Sequence, residues 1–214
     1  MRALLFVITS LILTGCATAR LPKGPESHAL ILYENAGRIG VPRAADERKG
    51  ENIGTIGGAV IKVRKYDLVE LATNYLVYYI NEKIKLNVVR VTLGESDPAE
   101  VVASAYKVDG LLVMKIKELK MFSIEALMQQ VKTDLTLELM VFDASGVKIY
   151  NRVVTSHHEK RIGVSIVENS TGKIVEAVVK GALKQYGKDP ELRKIIAKFR
   201  YGSLARALKI PSLG

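Results

Sequence analysis

Residues 111–122 read LLVMKIKELKMF, residues 131–142 read VKTDLTLELMVF, and residues 147–155 read VKIYNRVVT. Asp143-Ala144-Ser145-Gly146 joins the last two. These stretches decide the fold. In the first, Leu112, Met114 and Ile116 alternate with Lys115 and Lys117; in the second, Leu135, Leu137, Leu139 and Val141 alternate with Asp134, Thr136 and Glu138. A period of two sends alternate side chains to opposite faces of a strand, so each stretch predicts a strand with one dry and one wet face. The glycine late in Asp143–Gly146 suits a hairpin turn. The three strands form an antiparallel meander.

Working outward, Ala59-Val60-Ile61-Lys62-Val63 and Leu86 to Thr92 predict two more strands, and Ala29-Leu30-Ile31-Leu32 a first one. Residues 34–52, with Pro42, predict a long loop that merges into a Gly-rich segment, 34–58 in all. A helix is expected from Asp67 as N-cap with Glu70 closing a capping box; Leu68, Leu71, Ala72, Tyr75, Leu76, Tyr79 and Ile80 make its apolar face. Asp97-Pro98-Ala99-Glu100 predicts a second helix to about Lys107, with Asp97 as cap and Pro98 in the first helical position. A third spans Ser170 to Tyr186, with Ile174, Val175, Val178, Ala182 and Tyr186 inward and Gly187 ending it. Asp189-Pro190-Glu191 starts a last short helix to Phe199, and 200–214 is a basic tail. This order predicts one α+β domain, with a mainly antiparallel sheet covered on one face by two or three helices.

The chain has 214 residues, of which 48% are hydrophobic, with a net charge of +10, one Cys and no Trp. Such a hydrophobic fraction excludes a disordered chain, and a single Cys excludes an internal disulfide framework. Charges interrupt every stretch after residue 20, so no later segment offers the ~20 apolar residues of a membrane-spanning helix. The positive charge points to anionic neighbours.

The N-terminus narrows the compartment. Arg2 precedes the apolar run Ala3 to Ile12, then Leu13-Thr14-Gly15-Cys16. The run is too short to span a bilayer and fits a secretory signal. Its end resembles the lipobox of bacterial lipoproteins. That resemblance implies cleavage before Cys16, diacylglyceryl attachment to its thiol, and a membrane anchor in place of a nucleophile or metal ligand. Acyl burial at ~0.8 kcal/mol per CH₂ makes two or more chains a stable anchor. By resemblance to the Gram-negative sorting rule, Ala17 favours the outer membrane, facing the periplasm. The expected organisation is a signal peptide at 1–15, a lipidated N-terminus and tether at 16–27, the domain at 28–199 and the tail at 200–214. An exported chain without a nucleic-acid motif has no nucleic acid as partner.

The strand before Asp67, the helix opening Tyr66-Asp67-Leu68, the hairpin from Thr133 through Asp143–Gly146 to Tyr150, and the closing Asp189-Pro190-Glu191-Leu192 complete a wider likeness. With the lipobox, they resemble YajG-like bacterial lipoproteins over roughly residues 54–199. A related pattern belongs to auxiliary lipoproteins of envelope ABC transporters. The resemblance implies no catalytic residues and no cofactor. The loop 34–58 and the basic tail stand outside it.

Several groups invite a site. His157-His158-Glu159 is short of ligands, because adjacent His residues in a strand point apart. Gly54-Thr55-Ile56-Gly57-Gly58 lacks phosphate-loop spacing and precedes a strand. Ser156, His158 and Asp143 have triad residue types but no nucleophile elbow. Tyr75 and Tyr79 fall on the core face of their helix, and Tyr78 off it. Lys115, Lys117 and Lys120, with Lys148 and Arg152 on the neighbouring strand, form a candidate basic contact surface for an anionic lipid or acidic envelope protein. The function expected is a non-enzymatic, lipid-anchored accessory or scaffold acting through protein contacts. The alternative is a carrier or auxiliary subunit holding a lipid or other small envelope molecule in an apolar cavity between sheet and helices, for an ABC-type transport system.

Overall fold

The protein is described here by a computed structural model covering residues 16–25, 32–34, 36–56, 58–94, 97–123, 129–162 and 167–207. The signal peptide, most of the strand expected at 28–33, and the end of the basic tail lie outside these residues. The strands are β1 Cys16–Thr18, β2 Arg38–Pro42, β3 Ala45–Asp46, β4 Asn52–Ile56, β5 Ala59–Lys62, β6 Asn87–Val91, β7 Gly110–Ser123, β8 Gln129–Asp143 and β9 Lys148–Ile162. The helices are α1 Lys65–Tyr78, α2 Ala99–Tyr106, α3 Val167–Lys188 and α4 Pro190–Ala207.

The long strand β7 organises the sheet. One edge carries β8, antiparallel from Gly110 opposite Asp143 to Ser123 opposite Val131. Then β9 lies antiparallel on β8, so the meander forms as its alternation predicts. The other edge of β7 carries three short parallel partners in succession: β2 at Gly110 and Leu111, β3 at Lys115 and Ile116, and β4 at Met121 and Phe122. Beyond these, β6 pairs parallel with β2, β5 antiparallel with β4, and β1 parallel with β5. The sheet is therefore mixed. Most of its paired residues are antiparallel, but one side of β7 is wholly parallel.

Residues 34–58 are thus not a loop. They hold β2, β3 and β4. In β2, Ile39, Gly40, Val41 and Pro42 are all buried, so the strand has no alternation to read. Gly54 has φ +146°, and a Cβ there would stand 1.9 Å from the Met121 carbonyl oxygen, so only glycine lets β4 approach β7 this closely.

A register shift between Ile116 and Glu118 resets the alternation. Leu112, Met114 and Ile116 face inward before it, and Leu119 and Met121 after it. With Leu135, Leu137, Leu139 and Val141 they meet Leu68, Leu71, Ala72 and Leu76 of α1 and Ile174, Val175, Val178 and Ala182 of α3. Leu192 and Ile195 extend this core into α4.

Cover on one face only is incorrect. Val102 and Ala103 of α2 join a second, smaller core with Leu111, Val113 and Met140, residues of opposite parity on the same strands. The unbroken apolar run Leu111–Met114 is what a strand dry on both faces requires.

Local signals misplace several boundaries. Arg64, not Asp67, is the N-cap of α1; Asp67 lies in its first turn and accepts from Arg64 Nε at 2.8 Å. Pro98, not Asp97, is the N-cap of α2, while Asp97 accepts the Gly94 N–H at 2.6 Å. Gly187 lies inside α3, one residue before its end. Asp189 alone separates α3 from α4, which runs on to Ala207 through residues expected as tail. The start of the supposed tether also belongs to the sheet. Ala19 is buried and donates to the Lys62 carbonyl at 2.8 Å, and Asn74 donates to the Lys23 carbonyl at 2.8 Å.

Candidate functional site

Cys16 is exposed and carries no disulfide. Its position in the fold follows from the register. Cys16 stands opposite Val60, Val60 opposite Thr55, and Thr55 opposite Phe122 near the end of β7. The α3–α4 junction lies at the other end, where Tyr150 opposes Val141 and Val141 opposes Leu112. Ten residues of β7 separate these levels, about 33 Å at ~3.3 Å per residue.

The five basic residues do not form one unpaired surface. Lys115 and Lys117 both bind Glu47, at 2.7 and 2.6 Å, Lys117 also binds Glu138 at 2.8 Å, and Lys120 binds Glu118 at 2.6 Å. Hydrogen bonds from Lys115 and Lys117 hold the Glu47 carboxyl below its ordinary range, and that from Lys117 does the same for Glu138. This face is therefore a lattice of opposite charges, continued by Lys132–Glu159 at 2.9 Å, with a His157–Asp134 hydrogen bond at 2.7 Å beside it. Lys148 is exposed opposite Phe142, whereas Arg152 stands opposite Leu139 on the helix-covered side and pairs with Asp189. Sequence spacing shows where cations fall along a strand. It does not show the carboxylates that neighbouring strands bring beside them.

The triad residue types are also far apart. Ser156 opposes Leu135, while Asp143 lies eight residues further along β8, about 26 Å away. Among the described residues no three His, Cys, Asp or Glu side chains group to hold a metal, and no helix is long and apolar enough to cross a membrane. Gly54, Thr55 and Ile56 of the Gly-rich segment lie within β4. The layer between sheet and helices is filled: Tyr186 is 1% exposed, and its hydroxyl donates toward the Leu137 carbonyl at 2.7 Å.

The α3–α4 junction concentrates polar structure that sequence reasoning assigned to capping alone. Asp189 is 4% exposed. Its Oδ1 caps α4, accepting from the N–H groups of Glu191 at 2.8 Å and Leu192 at 3.3 Å. Its Oδ2 accepts from Tyr150 Oη at 2.8 Å and from Arg152. Burial works to raise its pKa, but these donors prevail and hold the carboxyl at about 2. Burial and the neighbouring Asp189 charge push the Tyr150 phenol well up.

Beside this junction, α1 gives way to a π-helical turn, Tyr79–Ile84, which ends at Lys85 in the left-handed region. Such turns are frequent at functional sites. The turn and α4 enclose an open cleft of about 340 Å³, with Tyr79, Lys83, Arg193 and Arg200 in its polar wall and Ile84, Leu192 and Ile196 in its apolar wall. Among the described residues no Asp or Glu lines it. Gly187 forms part of the wall because Tyr79 Oη would lie 1.6 Å from any Cβ there. That close approach explains a glycine that reads, in sequence, as a helix terminator. Burial raises the Tyr79 pKa, so its hydroxyl stays a hydrogen-bond donor. A second hollow of about 390 Å³ shares Tyr79 and Lys83; Tyr75, Tyr78 and Leu183 give it apolar walls, with Lys180 and Lys184 also lining it. Cations reach the tyrosines from distant helices: Lys180 and Lys184 of α3 beside Tyr75 and Tyr78, and Arg193 of α4 beside Tyr79.

No protein-family model matches the sequence, and no curated protein matches it. Its fold is similar to several solved structures at low identity. A hypothetical protein of Chlamydia trachomatis superposes with a TM-score of 0.48 at 8% identity, covering 70% of this chain and 95% of that one. A minor lipoprotein of Acinetobacter baumannii gives 0.42 at 13% identity, covering 76% and 94%. A lipoprotein of Neisseria meningitidis gives 0.33 at 10% identity, covering 72% and 99%.

Proposed function

We propose that the chain is a lipid-anchored bacterial envelope protein, YajG-like in pattern, acting without catalysis as an accessory or scaffold through protein contacts. One observation carries this reading: the lipobox-like Leu13-Thr14-Gly15-Cys16 follows a short apolar run, and its Cys16 is exposed at the start of β1. Ala17 favours the periplasmic face of the outer membrane. Because residues 16–19 pair with β5, an anchor on Cys16 holds the sheet end close to the bilayer instead of at the end of a slack tether. The α3–α4 end then points into the periplasm, where an envelope partner can reach it.

The charge lattice on the wet sheet face weakens the case for that face as a general anion-binding surface. It suits a partner that replaces these ion pairs with its own. Transport by a carrier that holds lipid between sheet and helices draws no support from a filled core. The anchor is tested by metabolic labelling with a fatty acid. Wild-type chain incorporates label, and Cys16→Ser abolishes both label and processing; retained label overturns the reading. Crosslinking in the native envelope tests the scaffold role, and recovery of no specific partner counts against it.

A further inference from the structure

The cleft between the π-helical turn and α4, with the tyrosine-walled hollow beside it, has the chemistry of a ligand site. Three cationic side chains, Lys83, Arg193 and Arg200, line the cleft, and among the described residues no carboxylate does. Lys83 is exposed and has no ion-pair partner among the described residues. Arg193 is also exposed, and its Nε is held by the Gly187 carbonyl at 2.7 Å, which fixes the guanidinium at the mouth of the cleft. The Tyr79 hydroxyl supplies a neutral donor seated over Gly187. Lys83 and Tyr79 also border the second hollow, whose Tyr75, Tyr78 and Leu183 surfaces are apolar. Cations and an apolar trough thus adjoin, about four residues apart on one helical turn.

We propose that this composite cleft binds an amphipathic anion, with a phosphate or similar oxyanion on Lys83 and Arg193 and its apolar part along Tyr78 and Leu183. Guanidinium and ammonium groups both make charge-assisted hydrogen bonds to phosphate, and the flanking ring faces shield an apolar group from water. The site is far from the Cys16 end of the sheet. It is suited to a single phosphorylated molecule with an apolar tail and not to the bilayer that an anchor there would occupy. It stands on the cleft alone and does not require lipidation of Cys16.

Isothermal titration of the full chain with hexyl phosphate, inorganic phosphate and hexanol tests the proposal. Saturable binding of hexyl phosphate is expected, with inorganic phosphate and hexanol each at least about fivefold weaker. Lys83→Gln should weaken hexyl phosphate binding by about tenfold, the loss of one charge-assisted hydrogen bond. Lys132→Gln, on the sheet face, should leave it unchanged. Both positions are exposed, so an unchanged melting temperature in each variant separates loss of binding from loss of fold. Absence of saturable binding by the wild-type chain overturns the proposal, as does equal affinity in Lys83→Gln. Equal affinity for inorganic and hexyl phosphate overturns the role of the apolar trough and leaves a bare anion site.

Discussion

Replacing Asp189 tests the most connected polar group in the fold. Asp189→Ala removes the N-cap of α4, worth ~1 kcal/mol, and leaves the Tyr150 hydroxyl unpaired in a buried setting, worth ~1–3 kcal/mol. Arg152 adds little, because its side chain is 53% exposed and returns to water. The expected loss is therefore about 2–4 kcal/mol. The charge alone is isolated by Asp189→Asn. A carboxyl held at about 2, against an ordinary 3.8, favours the folded chain by roughly 2 kcal/mol at neutral pH, at ~1.36 kcal/mol per pH unit. The sign is that of a depressed carboxyl. The stabilisation is complete above about pH 4 and fades as pH falls toward 2. Urea denaturation followed by circular dichroism at pH 7 and pH 2.5 measures both effects. Asp189→Asn should be less stable than wild type at pH 7, with a smaller gap at pH 2.5. A loss below about 0.5 kcal/mol for Asp189→Ala, or a gap that widens on acidification, refutes the reasoning.

Other expectations follow from the same geometry. Gly187→Ala drives a methyl into Tyr79 and should cost about 1–3 kcal/mol, with Tyr79→Phe recovering part of it in a double-mutant cycle; strict additivity would show that the two do not touch. Glu47→Gln removes the Lys115 and Lys117 pairs to Glu47 but leaves Lys117 with Glu138, and it breaks only partly exposed contacts, so its urea midpoint should move by less than about 1 kcal/mol equivalent. A larger loss would make the sheet-face lattice structural.

The meander was readable because its physics is local. Strands wet on one face must alternate, and β7, β8 and β9 do. The helical faces of α1 and α3 were readable for the same reason. By contrast, β2, β3 and β4 hide in residues 34–58: β2 is buried along its length and so has no alternation, and β3 and β4 are too short for a pattern to show. The placement of α2 was hidden too. Val102 and Ala103 announce an apolar face, but not which side of the sheet it meets. Capping motifs at Asp67 and Asp97 misled by three residues and by one, since a helix starts where its packing begins and these carboxylates found other donors.

For the candidate sites, sequence by itself pointed to Cys16 and to Tyr75, Tyr78 and Tyr79, since a motif and a helical stripe are properties of neighbouring residues. It also determined the charges without their partners. Only the tertiary structure decided that Glu47 and Glu138 pair with Lys115 and Lys117, and that Lys83 and Arg193 line one cleft where no described carboxylate does. Electrostatic character depends on distance in space, and residues brought together by the sheet and the α3–α4 break are far apart along the chain.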